Sequence, residues 1–117
     1  MYGTEKQIKW AEDIILKAYD HVDSIIVAYT ERRDTEGERR YEMNNDIVLG
    51  ADKVREWINN CVNDVDDAYK WIKARDMFSV PKLNNMINKY ARSHCNYRKG
   101  MECLQLDLYY KVNAKEE

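Results

Sequence analysis

Between residues 8 and 29 the apolar side chains Ile8, Ala11, Ile15, Ala18, Val22, Ile25 and Tyr29 recur at alternating steps of three and four. Only a helix gathers such positions onto one face, because 3.6 residues complete a turn whereas a strand sends successive residues to opposite sides. The stripe commits the first quarter of the chain to a long amphipathic helix. Thr4 followed by Gln7 matches a capping box, in which each side chain satisfies the other's free backbone N–H, so the helix starts there. A β-branched run, Ser24-Ile-Ile-Val-Ala-Tyr-Thr30, also suits a strand that returns through residues 34–37 to 39–43. The uninterrupted helix is the expectation, because the apolar phase runs straight through residue 29.

Asn44, Asn45, Asp46 and Gly50 read as the next punctuation. Val54, Ile58, Cys61, Val65, Ala68 and Ile72 then step by four and three again, which predicts a second long helix to about Arg75. Ser79-Val80-Pro81 opens a third, shorter helix through Leu83, Ile87, Tyr90 and Ala91, since proline fits a first helical turn. Past Gly100, Leu104, Leu106, Leu108, Tyr110 and Val112 alternate with Gln105, Asp107, Tyr109 and Lys111, the period of a strand. A lone strand needs a partner. Residues 104–112 therefore belong to a short strand or small β-hairpin, pair between chains, or are helical after all. One Pro, four Gly and 34% charged residues favour long helices over a many-stranded sheet. The predicted fold is mainly α: a compact three-helix bundle of two long helices and one shorter helix, with room for a short C-terminal strand or small β-hairpin. It forms a single domain over residues 1–117, frayed at 114–117.

A chain of 117 residues supports one core. Its 19 Lys and Arg against 21 Asp and Glu leave a net charge of -2, so no global field recruits nucleic acid or an anionic membrane. No 18-residue apolar run exists to span a bilayer, and the opening residues lack a signal-peptide pattern, so a cytoplasmic protein without membrane partners is expected. The three cysteines are then thiols. His94-Cys95 with Cys103 is the best group for a metal, but its spacing matches no zinc motif. Cys61 lies on the apolar seam, as a small buried hydrophobe does. Cys95 or Cys103 with His21 or His94 would meet only in space, and no nucleophile elbow or phosphate-cradling glycine loop accompanies them. No metal, cofactor or enzymatic activity is expected.

Acidic residues cluster as Glu12, Asp13, Asp20 and Asp23 on the first helix and as Asp64, Asp66 and Asp67 on the second. Asp13 and Asp20 stand about two turns apart and project from one flank. They form either a solvated helix face or a phosphate-mimicking surface that enters a basic channel of a partner. Residues 79–103 are the opposite case, with Lys82, Lys89, Arg92, Arg98 and Lys99 against Glu102, a local charge of +4 that leaves -6 for the remainder. Lys89, Arg92, His94, Tyr97, Arg98 and Lys99 suit phosphate and base-edge contacts, the bland reading being a solvated basic helix end. Trp57 and Trp71 flank the second seam and are expected to be partly buried. Trp10 lies beside the first stripe, stapling a neighbour or exposed. Trp10 and Tyr109 are the aromatic candidates for a partner interface, where such rings supply contact area at little entropic cost.

The segment Gly3-Thr-Glu-Lys-Gln-Ile-Lys-Trp-Ala-Glu-Asp-Ile-Ile15 resembles the opening of a set of small phage and mobile-element proteins of Firmicutes, which reads Gly-Ser/Thr-Glu-Lys-Gln-x-x-Trp-Ala-x-x-Ile. Asp66-Asp-Ala-Tyr-Lys-Trp-Ile-Lys-Ala-Arg75 is similar to an Ala-x-x-Trp-Ile-x-x-Arg stretch of the same set. The resemblance brings no catalytic motif. It implies a helical fold, the cytosol of a bacterial host, and one of two roles. The first is an inhibitor of host defence, an anti-CRISPR or related anti-defence protein. Such a protein would occlude a protein target, for instance a defence nuclease, through Asp13, Asp20, Asp64, Asp66 and Asp67 with Trp10 and Tyr109. The alternative is a nucleic-acid-binding regulator using residues 82–99. Oligomeric state is open.

Overall fold

The computed structural model describes residues 1–92. The capping box forms as the sequence predicts: the Gln7 N–H donates to Thr4 Oγ1 at 3.2 Å, and the Thr4 N–H donates to Gln7 Oε1 at 2.9 Å. From this cap α1 runs Glu5–Thr35. Ala11, Ala18 and Val22 are its buried positions, with Ile8, Ile15 and Ile25 packed half-buried beside them. The β-branched run does not break the helix, and the hairpin reading of residues 24–43 falls. A few tenths of a kcal/mol of lost propensity per residue is outweighed by packing Ile25 and Ile26 against the core.

The chain reverses at Glu36 and Gly37 and enters α2, Glu38–Asp64. Gly37 has φ +92°, a conformation that side-chain-bearing residues rarely adopt. Asn44, Asn45, Asp46 and Gly50 therefore lie inside a helix rather than before one, which corrects the predicted start. Their polar and small side chains have tertiary duties: buried Asn44 donates through Nδ2 to Glu36 Oε2 at 3.3 Å, and Asn45 Oδ1 accepts from Arg33 Nη1 at 3.0 Å. Gly50 admits a neighbouring helix.

A second correction concerns the far end. The predicted second helix to Arg75 is interrupted after Asp64, and α3 spans Ala68–Lys73, followed by a 3-10 turn at Arg75–Phe78 and by α4, Val80–Arg92. Val65 is extended, and its carbonyl accepts from buried Trp71 Nε1 at 2.9 Å. Asp67 caps α3, its Oδ1 accepting from the Tyr69 N–H at 2.9 Å. The N-terminal segment lies on this joint: the Tyr2 N–H donates to the Asp66 carbonyl and the Ala68 N–H to the Tyr2 carbonyl, both at 2.8 Å.

Two long helices and one shorter helix are thus joined by an additional short α3 and a 3-10 turn. α1 and α2 form an antiparallel hairpin, and α4 runs antiparallel along α2. Phe78 stacks on Trp57 with ring centroids 5.0 Å apart and leans on Trp71 at 4.8 Å, so one aromatic cluster ties α2, α3 and the 3-10 turn together. Both tryptophans are buried more completely than the sequence predicts. Ile58, Leu83 and Ile87 complete the core around them. The strand or hairpin expected at 104–112 and the frayed tail at 114–117 lie outside the described residues. No helix among the described residues is long and apolar enough to cross a membrane.

Candidate functional site

Helical register sets Asp13, Leu16, Asp20 and Val27 on the side of α1 opposite buried Ala11, Ala18 and Val22. Asp13 and Asp20 are exposed and share one flank, as their spacing predicts. Asp13 Oδ2 pairs with Lys17 Nζ at 2.9 Å. In line with these carboxylates stand two aliphatic side chains that the charge pattern alone did not single out, Leu16 at 58% and Val27 at 68% exposure. The sequence signal for them was their phase, since both fall between the positions of the buried stripe. Trp10 is 48% exposed, and the Arg75 guanidinium stands 5.4 Å from its ring centroid, a cation–π contact that holds the ring against the 3-10 turn.

The other acidic candidates sit at the α2–α3 joint. Asp64 is exposed at the end of α2. Asp66 Oδ1 pairs with the Met1 ammonium at 3.1 Å, and Asp67 is the α3 cap. Roughly 14 Å of helix rise separates Thr4, beside this joint, from Asp13. The five carboxylates therefore make two groups, an outer stripe on α1 and a joint in which Asp66 and Asp67 have structural duties.

On α4, Lys82, Asn85 and Lys89 are exposed and recur at steps of three and four, which aligns them on one face, and Arg92 closes the helix. His94, Tyr97, Arg98, Lys99 and Tyr109 lie outside the described residues, as do Cys95 and Cys103. Among the described residues no group of three or more His, Cys, Asp or Glu side chains is placed to hold a metal ion. Cys61 is fully buried, and burial, with the Asp64 charge adding, pushes its thiol up to about 12. It is a protonated core side chain at neutral pH.

Three further polar pairs join helices. Across the α1–α2 seam, Arg55 Nε donates to Asp23 Oδ1 at 2.8 Å, and its guanidinium lies 5.0 Å from the Tyr19 ring centroid. The Tyr19 hydroxyl donates to Asn59 Oδ1. The hydrogen bond to Asp23 and the Asp23 charge raise Arg55, while burial raises Tyr19 against the opposing pull of Arg55. On the α4 side, His21 Nε2 and Asn84 Oδ1 are 2.7 Å apart. Spacing across 63 residues hides this pair from any sequence pattern. Beside it an open cleft of about 170 Å³ is lined by Ile25, Tyr29, Ile47, Asn84, Ile87 and Asn88.

No family model, curated protein or solved structure matches the chain.

Proposed function

We propose that the chain is a small mobile-element-encoded binding protein that inhibits host defence, as an anti-CRISPR or related anti-defence protein, by occluding the surface of a protein target. The observation that carries this reading is the outer stripe of α1, where Leu16 and Val27 are exposed in line with Asp13 and Asp20. These aliphatic groups contribute nothing to the chain's own core. Covered by a partner, each gains about 1–2 kcal/mol of burial, while the neighbouring carboxylates steer basic groups of a nuclease into register. Trp10, at the same end of α1 as the joint carboxylates, adds an aromatic anchor. The resemblance of residues 3–15 to mobile-element proteins points to the same class.

The test is phage plating on a bacterial host with an active nuclease-based defence, with the chain expressed in the host. Wild type restores plating, whereas Leu16→Glu with Val27→Glu abolishes the effect without lowering thermal stability. Equal activity of this variant and wild type, or no protection at all, would overturn the reading.

A regulator that binds nucleic acid is the second reading, favoured by the shared exposed face of Lys82 and Lys89 on α4. Contacts from Lys89, Arg92, Arg98 and Lys99 to four phosphates imply a slope of about -3.6 in log affinity against log salt on duplex DNA. Retardation of DNA at low salt that a quadruple charge-removing variant abolishes selects this reading over the inhibitor.

A further inference from the structure

In α2 the residues Met43, Ile47, Gly50, Val54, Trp57 and Cys61 recur at steps of four and three and form one continuous stripe. α4 and the 3-10 turn cover it at Gly50, against Ile87, and at Trp57, against Phe78. Because α4 runs antiparallel to α2, its last residue, Arg92, arrives little more than a turn beyond Gly50. The stripe continues past that point. Met43 lies there, 52% exposed, and partly buried Ile47 joins Ile25 and Tyr29 of α1 in lining the open cleft that Asn84, Ile87 and Asn88 border from α4. Exposed Met43 and this open cleft leave an apolar patch on the two long helices that the described residues cover only in part.

The chain supplies a candidate cover of its own. It continues for 25 residues past Arg92, the residue that ends beside the partly covered face. Residues 93–103 are mostly polar, and eleven residues span up to roughly 36–40 Å when extended, enough to reach any part of the face and turn back. Residues 104–112 then carry Leu104, Leu106, Leu108, Tyr110 and Val112, apolar at every second position with polar or amphipathic residues between. We propose that residues 104–112 dock onto this face and close the core over Ile25, Tyr29, Met43 and Ile47. The alternation gives the segment one side to bury and one to leave in water. The proposal is independent of the target assigned to the outer stripe of α1, which lies on the opposite side of that helix.

Methyl nuclear magnetic resonance on the full chain tests it. Cross-peaks are expected between the δ1 methyls of Ile25 and Ile47 and the methyls of Leu104, Leu106 and Leu108. The triple change of those leucines to Asp is expected to shift the two isoleucine signals. Absence of the cross-peaks overturns the proposal. Cross-peaks found only between labelled and unlabelled chains, with a dimeric mass by light scattering, overturn it in favour of a second copy. Met43→Glu gives an independent readout. On an open face it leaves the melting temperature unchanged, which would also overturn the proposal, and under a docked segment it lowers that temperature by several degrees.

Discussion

The carbonyl oxygen of Ile87 lies 2.8 Å from the point at which a side chain on Gly50 would place its Cβ, with Tyr90 Cδ1 at 3.1 Å from the same point. α4 therefore meets α2 backbone to backbone at this position, and glycine is what permits it. Gly50→Ala is expected to destabilise the protein by about 1–3 kcal/mol through overpacking against a carbonyl that a helix holds in place. Alanine's better helix propensity, worth about 1 kcal/mol, acts in the opposite direction and sets the lower bound. Urea denaturation measures the difference, and a stabilised variant would mean that α4 docks elsewhere.

Gly37 presents the converse case, since nothing lies within 4 Å of its added Cβ and only its φ of +92° resists substitution. Gly37→Ala should cost about 1–3 kcal/mol, from backbone strain alone. Circular dichroism melting would show equal stability if the turn adopted another conformation.

Core truncation separates the two seams. Ile58 is fully buried, so Ile58→Ala is expected to cost roughly 2–5 kcal/mol. Ile15 is only partly buried, and its replacement by Ala should cost less. The reverse order in chemical denaturation would misplace the axis of the core.

Cys61 predicts a pH dependence. Its thiol is shifted by burial from an ordinary 9.0 up to about 12, so above pH 9 the unfolded chain loses a proton that the folded chain keeps. The stability from this group is full below pH 9 and declines as pH rises toward 12. Tyr19, also raised by burial, acts in the same direction. Cys61→Ala should flatten the alkaline decline. In native protein at pH 8, mass-mapped thiol labelling should leave the Cys61 peptide unmodified, and rapid labelling there would contradict its burial.

What was legible in the sequence was local or periodic. The Thr4–Gln7 cap and the α1 stripe each depend on residues within a turn or two of one another, and the flank shared by Asp13 and Asp20 follows from the same register. Asn44, Asn45 and Gly50 were misread as a helix boundary because their roles depend on Glu36, Arg33 and Ile87, which spacing within α2 does not reveal. The break after Asp64 was hidden for a different reason: Val65, Ala68 and Ile72 keep helical phase across it. Their continuity is interrupted by the Asp67 cap and the Tyr2 pairing. The contact of Trp10 with Arg75 joins residues 65 apart in sequence, so only the packing of α1 against the 3-10 turn exposes it.

The two-residue reversal at Glu36 and Gly37 also predicts an order of events in time. Residues flanking it meet after closing a loop of only a few positions, and each further pair along α1 and α2 then adds at small additional entropic cost, so the hairpin assembles outward from its turn. α4 has no place to settle until the surface around Gly50 exists. Its arrival is consequently expected as the later step, within the microsecond-to-millisecond relaxation of helical bundles.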